Sequence, residues 1–219
     1  MWWKDSDVSV SEATSSARPP APGGSYPVSA EIRTDSSPEL ARLLRAVRDL
    51  QDRVIGTQAP PETVTAVAEE LERASAALDP FRITGLEPPS WDDLARTAPT
   101  RFLAPELTSV TVSDSELRGE VTFAIRYFGG NSAVHGGAIP LLFDEVLGQL
   151  ANFGRAMART ASLTVDFRRV TPLVRPLSVV ATVDRVDGRK RFLRGALYDG
   201  DAVTAEATAI FVELRPGQA

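Results

Sequence analysis

Apolar residues recur at helical spacing in two stretches of the N-terminal third. Ser37 ahead of Pro38 and Glu39 reads as an N-cap with proline at the first helical position. Leu40, Leu43, Leu44, Val47 and Leu50 follow at intervals of three and four, to about Ile55, and Gly56 supplies the stop. A second helix opens near Pro61-Glu62, carries Val64, Val67, Ala68, Leu71 and Leu78, and ends at Asp79-Pro80. Each helix has one apolar stripe, so the pair must pack on something: the domain that follows or a partner copy.

From Ser109 the period changes. Val110 and Val112, then Val121, Phe123, Ile125 and Tyr127, alternate with polar residues as half-buried strands do, with a turn near Ser113 to Glu116. After residue 153 the chain reads as strand to its end. Leu163, Val165 and Phe167 alternate, as do Val179, Ala181 and Val183. Turns at Asp187-Gly188 and at Asp199-Gly200-Asp201 join the later strands into an antiparallel meander.

Between the two strand blocks lies a run from about Gly136 to Phe153 that is apolar except for Asp144, Glu145 and Gln149. A helix apolar on nearly every side is normally buried, and carboxylates are rarely buried without a partner. Two adjacent acids in the most apolar helix of the chain therefore mark the place to look for chemistry. One long helix flanked by antiparallel strands is buried when the sheet curls around it, the α+β architecture called the hotdog fold. The organisation expected is a flexible tail over 1–37, rich in Ser, Pro and Gly, with Trp2 and Trp3 as its only large aromatics besides Tyr26. A helical extension with a Pro-interrupted connector covers 38–104, where Trp91 and Phe102 could act as staples, and the hotdog domain covers 105–219.

Composition narrows the chemistry. The net charge of −5 and the pI near 5.1 argue against a nucleic-acid partner bound through a basic face. With no cysteine there is no disulfide framework, thiol nucleophile or Cys-based zinc site, and a single histidine gives little support to a metal site. No metal or cofactor is expected. No run reaches the roughly 18–20 apolar residues of a membrane-spanning helix, and the start, Met1-Trp2-Trp3-Lys4-Asp5, lacks a signal-peptide core. The expectation is a cytoplasmic protein.

Val134-His135-Gly136-Gly137-Ala138-Ile139, with Asp144 nine positions after the histidine, resembles the HGG motif of hotdog acyl-CoA thioesterases. The likeness is to the phenylacetate-pathway type and to the mitochondrial acyl-CoA enzymes of the thioesterase superfamily. Ala161 to Pro172 looks like the strand that follows the helix in that family, and Gly188-Arg189-Lys190, Asp199-Gly200 and Ala205 to Thr208 look like the end of the fold. The resemblance covers about 105–214. It implies hydrolysis of an acyl-CoA to a carboxylic acid and coenzyme A, within fatty-acid metabolism, by a homodimer or a dimer of dimers. It implies an oxyanion site at Gly136 or Gly137, Asp144 as general base or nucleophile, and Thr160 or Ser162 beside it. Asn131 stands near a family asparagine, at a shorter spacing.

The residues support that chemistry. Unpaired N–H groups and the positive end of a helix dipole suit a developing oxyanion, and glycine lets a substrate approach the backbone. Asp144 lies seven residues beyond Gly137, roughly 10 Å along a helix. One carbonyl cannot reach both, so helix geometry expects two chains side by side with shared sites. Glu145, rotated about 100° from Asp144, reads as support, and His135 reads as orienting the loop. Arg168, Arg169, Arg189, Lys190 and Arg191 are candidates for the phosphates of coenzyme A. The alternative in another class is a non-catalytic acyl-CoA-binding or regulatory hotdog protein. A hotdog hydratase would need an Asp–His pair on a motif that the sequence lacks.

Overall fold

A computed structural model describes residues 38–81 and 103–215. The tail with Trp2 and Trp3, and the connector positions Trp91 and Phe102, lie outside the described residues. Helix α1 spans Pro38–Ile55 and helix α2 spans Pro61–Leu78, the bounds that Pro and Gly punctuation predict. A 3-10 turn, Asp79–Phe81, closes α2. Then come β1 (Leu107–Val112), β2 (Glu116–Thr122), a 3-10 turn (Ile125–Tyr127), β3 (Phe128–Gly130) and β4 (Ala133–Val134). Helix α3 covers Ala138–Asn152, followed by β5 (Ala158–Phe167), β6 (Pro176–Asp187), β7 (Lys190–Asp199) and β8 (Ala202–Glu213).

Six strands form one antiparallel sheet in the order β1-β2-β6-β7-β8-β5, and β3 and β4 form a separate small hairpin. Strands β6, β7 and β8 are the expected meander. Two-residue turns with left-handed Gly188 and Gly200 at the first turn position join them. Among the described residues strand β5 pairs with β8 alone, leaving its other edge without a partner there.

Helix α3 lies on one face of this sheet. Ile139, Leu142, Phe143, Val146, Leu147 and Leu150 are buried against Leu117, Val121, Val179, Leu193, Leu197 and Phe211. Each such side chain contributes about 1.5–3 kcal/mol of transfer free energy. Small residues set the distance of approach: Ala205, Ala207 and Ala209 on β8, and Gly195 on β7, where a Cβ would sit 2.9 Å from the Phe143 ring. The helix is not enclosed on all sides. Leu141, Asp144, Glu145, Gly148 and Gln149 form a half-exposed stripe beside the buried face, with Asp144 on the side toward β5. The two acids are tolerated because they lie on that stripe, which the apolar count alone does not reveal.

The expected strand through Ile125 and Tyr127 stops at Thr122, and residues 125–127 turn as 3-10. The alternation there is coincidental; the turn is held from elsewhere. Asp52 on α1 accepts the Arg126 backbone N–H at 2.7 Å and its Nη1 at 2.6 Å, and Arg48 pairs with Glu106 at 3.7 Å. These contacts fix α1 to the domain. Helix α2 buries no residue, and Val64, Val67, Leu71 and Leu78 of its stripe are exposed in the single chain. No helix among the described residues is long and apolar enough to cross a membrane.

Candidate functional site

The β3–β4 hairpin delivers the HGG segment to the start of α3. Asn131 and Ser132 both have left-handed φ, +50° and +59°, the pair that a two-residue type I′ turn requires and that Asn accepts readily. Asn131 is thereby an exposed turn-tip residue. Gly129 lies against the next segment so closely that a Cβ there would be 2.6 Å from the His135 Cα. That close approach lets the His135 N–H reach the Tyr127 carbonyl at 2.7 Å.

His135 then caps the helix in two ways. Its carbonyl accepts the Ala138 N–H at 2.9 Å, and its ring Nδ1 accepts the Gly137 N–H at 3.0 Å. A Cβ on Gly137 would lie 3.2 Å from that Nδ1, so glycine is what allows the imidazole to fold over the amide. The Gly137 N–H is thus occupied by the protein itself. The Gly136 N–H has no partner among the described residues, and beside the position of its missing Cβ stands only the tip of Phe167, at 4.0 Å. Of the two glycines, Gly136 offers the free donor at the dipole end of α3.

Asp144 lies two turns further along α3, half-exposed on the open stripe. Thr160 Oγ1 donates to its Oδ1 at 2.8 Å. A bulge makes this contact. Thr160 pairs with Phe211 and Ser162 with Ile210, leaving Ala161 as an extra residue. The bulge turns both Thr160 and Leu163 toward the helix and sends Ser162 to the opposite face, where it lines a concavity with Asp184, Phe192 and Thr208. Of the two hydroxyls that the sequence offered, the structure brings only Thr160 to Asp144. Glu145 sits beside Asp144, half-exposed, with a partner of its own.

The cations separate into three kinds. Arg191 is buried: it donates to the carbonyls of Ala151 and Ala156 at 2.7 and 2.8 Å and to Glu213 at 2.9 Å. Burial pulls its guanidinium below its ordinary range, and Glu213 opposes that shift. It ties down the end of α3 and is not available to phosphate. Arg168 lies on the outer sheet face between Glu206 at 2.6 Å and Asp166 at 3.4 Å, its charge already matched, and these carboxylates raise its pKa. Arg189 gives Nη1 to the Glu213 carbonyl, while Lys190 and Arg169 are exposed. Lys190 is in register with Val212 and thus with Arg159, one row from Thr160. Among the described residues no cluster of three or more His, Cys, Asp or Glu is placed to hold a metal ion.

Sequence reasoning missed four residues of this neighbourhood. Gly129 was masked by the more conspicuous Gly136-Gly137. Phe167 read as an inward strand residue, and Arg126 and Tyr127 as strand. For Gly129 the Gly-Gly pair at 129–130 was the available signal; contacts set by tertiary structure left none for the others.

Comparison with known proteins follows the same lines. A family model described as the thioesterase superfamily matches residues 131–206. Acyl-coenzyme A thioesterase THEM4 of Rattus norvegicus is 34% identical over 85 residues, 38% of this chain and 36% of that protein. The Bos taurus counterpart is 35% identical over 85 residues, 38% of this chain and 35% of that protein. The match therefore spans about a third of the length of these curated relatives. A solved structure described as a thioesterase superfamily protein is 30% identical, with a TM-score of 0.67, over 80% of this chain and 90% of its own. That share exceeds what residues 103–215 can supply, so the likeness takes in part of the helical extension, beyond the 105–214 expected from the motifs.

Proposed function

The chain belongs to the thioesterase superfamily, and from that membership we propose that it hydrolyses acyl-coenzyme A thioesters. The observation that carries this reading is the Thr160 hydroxyl held 2.8 Å from one Asp144 oxygen, while Oδ2 has no partner among the described residues. In this reading a water hydrogen-bonded to Oδ2 loses a proton to the carboxylate as its oxygen attacks the thioester carbon. The carbonyl electron pair moves onto oxygen, and the Gly136 N–H and the α3 dipole stabilise the resulting charge. Collapse of the intermediate breaks the C–S bond. The coenzyme A thiolate takes the proton from Asp144, and the carboxylic acid leaves.

The site spans two chains. Within one chain Gly136 adjoins Phe167 while Asp144 holds Thr160, seven residues away along β5, and the two groups are about 12 Å apart along α3. A second copy with its α3 antiparallel would bring its Gly136 to this Asp144. The half-exposed stripe of α3 and the open edge of β5 are surfaces that such a homodimer would cover. Lys190, and Arg189 beside it, supply cations for the coenzyme A phosphates at the Thr160 end of the sheet. His135 holds the loop and transfers no proton.

The test is the purified protein with a panel of acyl-coenzyme A thioesters and a free-thiol readout. Asp144→Ala should lower kcat by at least about 10²-fold, the low end of general-base catalysis. Undiminished turnover in that variant would sink the assignment. Binding across the panel without turnover would favour a non-catalytic acyl-CoA-binding protein instead.

A further inference from the structure

A carboxylate of the helical extension is bonded to the segment that leads into the HGG loop. Asp52 near the end of α1 accepts both the backbone N–H and the Nη1 of Arg126, 74 positions on, at 2.7 and 2.6 Å in a partly buried setting. The 3-10 turn Ile125–Tyr127 has no cap of its own: its N-cap position is Ala124, with no side-chain hydrogen bond. Asp52 fills that role from another element and balances the charge of a guanidinium whose Nε is buried without a partner among the described residues. The guanidinium in turn lies over the Tyr127 ring, 5.0 Å from its centre.

Tyr127 is where this anchor meets the loop. Its ring stands edge-on to buried Phe123, its hydroxyl donates to the Leu103 carbonyl at 2.8 Å, and its carbonyl accepts the His135 N–H at 2.7 Å. His135 Nδ1 then accepts the Gly137 N–H, next to the free Gly136 N–H. Every step from Asp52 to the glycine pair is thus a short hydrogen bond or one residue of chain. Oxyanion stabilisation requires donors fixed before the charge develops. We infer that Asp52 is a positioning residue of the oxyanion loop, through which α1 sets the place of His135, Gly136 and Gly137. The inference rests on the thioesterase reading for its catalytic meaning.

The histidine of that loop is unique in the sequence, so its ring gives one set of NMR resonances in the full-length protein. Asp52→Ala should shift the His135 ring signals, although Asp52 does not touch His135. It should lower kcat by about 10- to 100-fold, the scale of a displaced catalytic geometry, with KM within about twofold, as for an interaction realised in the transition state. Asp52→Asn keeps an acceptor for the Arg126 N–H and should recover part of both effects, and it serves if the alanine variant fails to fold. Glu106→Ala, which removes only the longer Arg48 pair, should leave the His135 signals and kcat unchanged. An active enzyme whose folded Asp52 variants keep wild-type kcat and His135 signals would overturn the inference and leave the thioesterase reading standing. An inert wild-type protein whose His135 signals still move in Asp52→Ala would overturn the thioesterase reading, with the physical link intact.

Discussion

At the scale of single residues, the proposed site rests on one hydroxyl and one extra residue in a strand. A hydrogen bond to a charged acceptor is worth about 1.5–3 kcal/mol, or roughly 10- to 100-fold in rate when it fixes a catalytic carboxylate. Thr160→Val keeps the β-branched shape and deletes the donor, so kcat should fall in that range with the melting temperature little changed. Thr160→Ser should retain most of the activity. Equal kcat in the valine variant would show that Asp144 needs no orienting partner. Both Thr160 and Ser162 were legible as candidates, because a hydroxyl two residues away on an alternating strand occupies the same face. What could not be read was the bulge at Ala161, which has no compositional mark and reverses the face of Ser162. Asn131 shows the converse: near a family position by number, it is explained by the left-handed turn that it occupies.

Among elements, legibility followed locality. The bounds of α1 and α2 are written in Pro38, Gly56 and Pro61, and the β6–β7–β8 turns in Gly188 and Gly200. The alternation of Ile125 and Tyr127 reads as strand, whereas the structure turns there as 3-10, with a backbone N–H held by Asp52, 74 residues upstream. Arg191 stood in a basic run beside a hairpin and read as a surface cation. Its burial depends on the end of α3 lying over β7, which no local pattern encodes. The helix–sheet contact itself rests on Gly195. A methyl there would stand 2.9 Å from two carbons of Phe143, and overpacking of this kind costs about 1–3 kcal/mol. Gly195→Ala should therefore lower thermal stability by that amount. Phe143→Leu in the same chain should recover part of the loss, with a coupling of at least about 0.5 kcal/mol in a double-mutant cycle. Additive effects would mean that the helix shifts on the sheet rather than clashing at this point.

For the whole molecule, the question is whether one chain holds a site or half of two. Along a single α3 the free Gly136 N–H and the Asp144 carboxylate are about 12 Å apart, too far to act on one carbonyl. The half-exposed stripe that carries Asp144 and the edge of β5 left unpaired among the described residues are the surfaces that the proposed second copy would cover. The proposed symmetric dimer would contain two sites, each with Asp144 from one copy and Gly136 from the other. Asp144→Ala and Gly136→Val should each be nearly inactive alone, the first without its base and the second with the approach to the amide blocked. Co-expressed with different tags and isolated as the hybrid dimer, they reunite an intact Asp144 and an intact Gly136 in one of the two sites. The hybrid should recover about half of wild-type kcat per dimer. Sites contained within single chains predict no recovery, since each copy would carry its own lesion. A hybrid as inactive as its parents, with each parent dimeric and folded, would confine the chemistry to one chain and require another group than Gly136 to meet the oxyanion.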